Sequence, residues 1–299
     1  MPVTGLNALA DTDGRFAVLA MDQRGTLRRM LTKAGKPSEE ADLRAFKVDV
    51  VAALSPVSTG VLIDPEYGVP AVREAGALAE GCGLLVAAEP ATKQMHGEEY
   101  RTAVDPARDA AWVRGLHGDG LKFLVYWDPF REPAPGDLDL AAETMTVVAQ
   151  IVADCRAHGV PSIIEPLVQF APGSAPPDAE QRFAAVVRSA ERLATLGPDL
   201  LKLEWPGAPG CAAVTEALGT VPWTLLSAGV EYPAFVERVA TALDAGASGF
   251  IAGRAIWGEA VTLDGDARRA FLGDVAVSRL QGLVDLLAGR GRSWQDVAA

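Results

Sequence analysis

Short, almost wholly apolar runs recur along the chain every 20 to 45 residues or so. They read FAVLAMD (16–22), GVLIDP (60–65), GLLVAAE (83–89), GLKFLVYW (120–127), PSIIEPLV (161–168), LLKLEWP (200–206), WTLLSAG (223–229) and GFIAGRAIW (249–257). Runs that are apolar throughout, rather than at alternate positions, belong to parallel strands covered on both faces. Between them lie segments with apolar residues at helical spacing, among them LRAFKVDVVAAL and RFAAVVRSAERLATLG. A glycine closes several of these, as in HG before Val160 and LG before Pro198, which marks a helix C-terminus. Eight strand–helix repeats over about 240 residues predict an α/β fold, a (β/α)8 TIM barrel. The reading is one domain over 1–299 with a last helix at about 266–291. A doubly wound sheet would carry a glycine-rich phosphate turn after its first strand, and DQRGTL is not one. The Pro/Ala-rich APGSAPPDAE (171–180), after the fifth strand, reads as a loop able to cover the barrel mouth.

Two of the apolar runs contain a lysine. The chain has only six lysines against twenty-one arginines, so Lys122 in the fourth strand and Lys202 in the sixth are not explained by composition. A barrel carries its catalytic groups at the C-terminal ends of its strands, and alternate strands share an interior layer. That rule selects Asp22, Asp64, Glu89, Lys122, Glu165 and Lys202, and it brings the two lysines close together. A neighbouring cation and a dry site both favour the neutral amine, which can attack a ketone and form a Schiff base. The alternative is structural: either lysine could snorkel along the barrel or pair with Glu204, two residues on from Lys202. Pro166 and Pro206 are expected to end their strands. The last two runs end in small residues, where barrels often hold phosphate. There Ser227 offers a hydroxyl, Gly229 and Gly253 offer N–H groups, and Arg254 offers a guanidinium.

Composition narrows the partners. The formal net charge of −12 and a pI near 4.8 disfavour nucleic acid and anionic membranes. Three widely spaced cysteines fit a reducing compartment. The first residues, MPVTGLNALADTDGRF, lack the features of a signal peptide, and no run of about 18 apolar residues is present, so a cytoplasmic protein is expected. With three histidines, only His96 near the mouth, the sequence offers neither a metal-ligand set nor a Ser-His-Asp triad.

With these residues in view, the chain resembles the class I aldolases of the tagatose 1,6-bisphosphate aldolase and sulfofructosephosphate aldolase family, from AMDQRGTLRRML to the RSW near the end. DQRGTLRRML, LIDPEYG and KFLVYWD are closer to the tagatose bisphosphate enzymes; SIIEPLV, PWTLLSAGV and GASGFIAGRAIW are closer to the sulfosugar enzymes. LKLEWP is similar to the family's Schiff-base motif, with Trp205 in place of a smaller apolar residue. The resemblance implies that Lys202 forms the Schiff base. It implies that Glu165 handles the proton of the hydroxyl at the cleaved bond, supported by Lys122 and Asp22. Ser227, Gly229, Gly253 and Arg254 would hold the phosphate of the dihydroxyacetone half, with Gln23 and Arg24 towards the other end. A phosphorylated sugar substrate, no metal or other cofactor, and a homo-oligomer are expected. The loops after strands one to three offer one clear cation, Arg24, while Lys93, His96 and Arg101 sit in TKQMHGEEYRT. A single cation suits a sulfonate better than a phosphate, which inclines the expectation to 6-deoxy-6-sulfofructose 1-phosphate over tagatose or fructose 1,6-bisphosphate. The rival readings are another Schiff-base lyase or transaldolase, or a sugar-phosphate-binding regulator.

Overall fold

A computed structural model describes residues 4–170 and 177–299; most of the expected mouth loop, residues 171–176, lies outside the described residues. Eight strands form the barrel: β1 (Phe16–Met21), β2 (Gly60–Ile63), β3 (Gly83–Ala87), β4 (Gly120–Trp127), β5 (Ser162–Val168), β6 (Leu200–Leu203), β7 (Trp223–Leu226) and β8 (Gly249–Ala252). Every neighbouring pair is parallel, and β1 pairs with both β2 and β8, which closes the barrel. A two-stranded hairpin, Gln94–His96 with Glu99–Arg101, stands apart on the loop after β3. Helices fill the connections, and after them Gly265–Phe271 runs through a π-turn at Leu272–Ala276 into Val277–Leu287. Among the described residues no helix is long and apolar enough to cross a membrane.

Two boundaries differ from the sequence reading. GFIAGRAIW divides: the strand stops at Ala252, and Arg254–Trp257 is a single helical turn. In the other direction, β5 does not stop at Pro166 but stays paired with β4 as far as Val168. Proline has no N–H to give a ladder. Here that costs nothing, because β5 pairs with β6 only at Ile163 and Ile164. The N–H of Val168, two residues on and of the same parity, goes to a side chain, Glu204 Oε2, at 2.7 Å.

The period of two along each strand divides the apolar residues into two layers. Phe16, Val18 and Ala20 of β1, Leu85 and Ala87 of β3, Ile163 of β5 and Leu200 of β6 fall in one buried cluster inside the barrel. The alternate residues pack outward against the helices in a larger cluster. The N-terminal end of the barrel is plugged. A 3-10 turn, Thr4–Leu9, sends Leu6 and Leu9 into the interior cluster, where they join Trp294 from the helix Trp294–Ala298. Trp294 N–H donates to Gly14 O at 2.9 Å, and Gln295 Nε2 to Asn7 Oδ1 at 3.0 Å, so the plug is tied across the whole chain.

The plug explains the glycine that opens β3. A Cβ on Gly83 would lie 2.1 Å from the Ala8 carbonyl oxygen, whereas a Cβ on Gly115 would meet nothing within 4 Å. Gly83→Ala is therefore expected to destabilise the fold by about 1–3 kcal/mol, and Gly115→Ala to stabilise it by about 0.4–1 kcal/mol. Urea unfolding of the two variants checks the contrast.

Candidate active site

Five of the interior columns carry a charge near the C-terminal mouth. Asp22 follows Ala20 by two, Glu89 follows Ala87, Glu165 follows Ile163 and Lys202 follows Leu200, while Lys122 stands two beyond Gly120. The barrel geometry converges these side chains. Glu165 Oε2 lies 2.8 Å from Lys122 Nζ and 3.0 Å from Lys202 Nζ. Lys122 Nζ also donates to Asp22 Oδ2 at 3.1 Å and to Glu89 Oε1 at 3.0 Å. Lys122 is fully buried and Lys202 is 4% exposed.

Burial works against a charged Lys122, but Glu165, Glu89 and Asp22 outweigh it and hold its pKa well above that of an ordinary lysine. Asp22 shows the mirror effect: burial alone would raise its carboxyl, yet Lys122 and Lys202 pull it far below the usual carboxylate range. The expectation that each lysine drives the other neutral thus fails for Lys122, which is a fixed cation inside an acidic cage. Lys202 does not pair with Glu204. Its partner is Glu165, while Glu204 accepts from Val168 N–H and from Arg182 Nη2 at 2.5 Å. Asp64 leaves the site altogether: β2 ends at Ile63, and the carboxylate turns to Lys47 at 2.9 Å and to the N–H groups of Tyr67 and Gly68.

The charged residues floor a cavity of about 530 Å³ that opens at the mouth, and Gln23, Arg24, Ser227, Gly253 and Arg254 line it. Gly229 does not. It backs the Arg254 guanidinium, since a Cβ there would sit 3.1 Å from Arg254 Cζ. The turn after β7 takes positive φ at both Ala228 and Gly229, and Ala228 is one of two non-glycine residues to do so among the described residues. Arg254 has no ion-pair partner among the described residues, unlike Arg24. The Arg24 guanidinium is tied to Glu66 at 3.0 Å, to the Glu89 carboxylate at 3.3 Å and to the Glu89 carbonyl at 3.2 Å. Arg101 is likewise held by Glu143, and His96 by Asp137. Lys93 lies at the cavity between the rings of Tyr100 and Tyr126, 4.2 and 4.1 Å from their centres. Among the described residues no group of three or more His, Cys, Asp or Glu is disposed to hold a metal ion.

The sequence reading missed three things. Glu89 was visible as a strand-end charge, but its contact with Lys122 depends on barrel closure. Arg29 lines the cavity from the helix Gly25–Lys33, with only Thr26 as a side-chain partner among the described residues. Lys47, inside LRAFKVDVVAAL, is fully buried, and a lysine in so apolar a helix was its signal.

A closed parallel barrel with two lysines sharing one carboxylate at its mouth is compatible with lysine-dependent chemistry. The comparisons agree. Residues 16–259 match the family model of the DeoC/LacD family aldolases. The chain is 30% identical to the tagatose 1,6-diphosphate aldolase of Listeria monocytogenes over 97% of its own length and 92% of that enzyme. It is 27% identical to the enzyme of the same name from Staphylococcus aureus, over 98% and 97%. Among solved structures, a Schiff-base-forming fructose-1,6-bisphosphate aldolase superposes with a TM-score of 0.66 at 17% identity, over 96% of this chain and 100% of that one. The fructose-bisphosphate aldolase of Slackia heliotrinireducens gives 0.63 at 16%, over 95% and 88%. The chain belongs to the DeoC/LacD family of aldolases.

The Asp22 cage sets a dependence on acid. Its folded-state pKa lies below the ~3.9 of an unfolded aspartate. Asp22 therefore contributes stability that is complete above about pH 4 and is lost as the pH falls further. Asp22→Asn is expected to flatten the plot of unfolding free energy against pH below about pH 4, by up to one proton's worth, ~1.4 kcal/mol per pH unit. Urea titrations at stepped pH measure that slope.

Proposed function

We propose that the protein cleaves a ketohexose 1-phosphate carrying a second anion at C6, through a Schiff base on Lys202. The products are dihydroxyacetone phosphate and an anionic three-carbon aldehyde. The observation that carries this reading is the single oxygen Glu165 Oε2, shared between the two lysines at the foot of the cavity. Lys202 Nζ attacks C2 of the ketose, and water leaves as the imine forms. Glu165 then takes the proton of the C4 hydroxyl while the C3–C4 bond breaks, and the electron pair of that bond moves into the iminium as an enamine. The aldehyde departs, C3 takes up a proton, and water releases the second product from Lys202. Lys122 stays charged throughout; with Asp22 and Glu89 it fixes Glu165 and stabilises the developing alkoxide. Arg254, the Ser227 hydroxyl and the N–H of Gly253 hold the C1 phosphate.

At the distal end the favoured group is a second phosphate, with tagatose 1,6-bisphosphate as the first candidate. Arg24 is already neutralised by Glu66 and Glu89, but Arg29 and Lys93 line the cavity without a carboxylate partner among the described residues. Two such cations suit a group of nearly two charges, and two of the enzymes most similar in sequence carry the tagatose 1,6-diphosphate name. The second reading is 6-deoxy-6-sulfofructose 1-phosphate, favoured by SIIEPLV, PWTLLSAGV and GASGFIAGRAIW in the rear half.

Borohydride with dihydroxyacetone phosphate is expected to inactivate the enzyme and to leave the reduced adduct on Lys202; an adduct on Lys122 would overturn the assignment. EDTA is expected to leave turnover unchanged, and a loss of activity restored by zinc would overturn the mechanism. Arg254→Ala raises KM for the phosphorylated substrate by about tenfold or more, a loss of about 1.4 kcal/mol in binding. Parallel kcat/KM measurements on tagatose 1,6-bisphosphate, fructose 1,6-bisphosphate and 6-deoxy-6-sulfofructose 1-phosphate decide the distal group.

A further inference from the structure

We propose that Lys47 is a positioning residue for this reaction: by gripping the backbone on both sides of Asp22, it aims that carboxylate at Lys122. The inference rests on the reading that the cluster of Lys122, Glu165 and Lys202 performs the chemistry.

Lys47 lies on the helix Glu40–Leu54, on a buried face shared with Leu43, Phe46, Val50, Val51 and Leu54, and it is fully buried. An ammonium has three N–H donors, and here each has an acceptor. Nζ donates to Met21 O at 2.7 Å and to Gln23 O at 2.8 Å, and it lies 2.9 Å from Asp64 Oδ2. The two carbonyls bracket Asp22. That is the stretch where strand pairing gives out: β1 registers with β8 only to Leu19 and with β2 only to Met21. Beyond Met21 no ladder holds the chain. Just before it, Ala20 O is taken by Trp257 Nε1 at 3.1 Å, so the end of β1 is pinned from the helix layer. Asp22 can then reach back across the mouth to Lys122 at 3.1 Å.

A buried ion pair serving stability alone would need only Asp64. Such a pair is often no better than well-packed apolar residues, because both charges must be desolvated. Burial indeed pulls the Lys47 pKa down despite Asp64. What an apolar side chain could not supply is the pair of hydrogen bonds to Met21 and Gln23. Neither Lys47 nor Asp64 lines the cavity.

The test separates stability from aim. Lys47→Met alone strands Asp64 as a buried, unpaired charge and is expected to be unstable. The double variant K47M/D64N removes both charges, and the amide oxygen it places at position 64 can still accept from the N–H groups of Tyr67 and Gly68. The double variant is expected to regain a melting temperature near that of the wild type. Its kcat should stay about 10- to 100-fold low, as for a misaimed catalytic group, with KM changed less than about threefold. Asp64→Asn alone keeps both carbonyl contacts and should hold kcat within about threefold of wild type. A crystal structure of the double variant should show the Asp22 carboxylate out of reach of Lys122. A double variant with wild-type kcat, an Asp64→Asn variant as slow as the double, or an unmoved Asp22 would each overturn the inference. If the wild type turned over no ketohexose phosphate, the substrate reading would fail. The Asp22–Lys122 distance in the double variant would still decide the role of Lys47.

Discussion

A fully buried ammonium cannot stand alone, and Lys122 is one. Its charge is tolerated because three carboxylates from three different strands or the residues just after them, Asp22, Glu89 and Glu165, reach it within 3.1 Å. The same need arranges the rest of the mouth. Glu165 is held where it also touches Lys202, and Glu89 is held where it receives Arg24. Arg24 in turn shares Glu66 with Arg108. Charge therefore runs outward from the barrel axis in alternating signs, and a few cations at the cavity are left out of this pairing among the described residues. Arg254 is the clearest of these, on the side where the turn after β7 bends its backbone into positive φ.

Much of this was legible in the sequence because barrel strands obey a short period. Once FAVLAMD and SIIEPLV are read as inward-facing columns, Asp22 and Glu165 fall at the mouth by counting in twos. Lys122 and Lys202 announce themselves as lysines inside apolar strands of a lysine-poor chain. The failures share one cause, which is that contacts between distant elements have no period. Asp64 has the same strand-end signature as Asp22, yet a lysine seventeen positions earlier on a helix draws it out of the site. Arg24 looked like the free cation of the distal pocket, but its acidic partners lie on the loops after β2 and β3. Pro166 looked like a strand end because the missing N–H is obvious in the sequence, whereas the absent β6 neighbour is not.

The protonation states follow the same division between local and distant causes. Proximity of two lysines, read from strand numbering, argues for two depressed amines. The barrel instead places a carboxylate between them and two more around one of them, so the pair is asymmetric. One lysine is a permanent charge, and the other shares its only carboxylate partner among the described residues. The Schiff-base reaction proposed above uses both a fixed cation near the developing alkoxide and a separate amine to condense with the ketone, so this asymmetry suits that proposal better than the symmetric expectation did.

The plug at the far end of the barrel bears on how the chain is made. Leu6 and Leu9 are made first, and Leu9 meets the glycines that open β2, β3 and β4, but the cluster also includes Trp294, and the bond from Gln295 to Asn7 spans 288 residues. A nascent chain can pair β1 with β2 and β3 as they emerge, yet its floor stays unsealed until the ribosome has passed Gln295. Through that interval the apolar bottom of the half-built barrel is open to water and to other chains, the condition in which chaperones engage and aggregates begin.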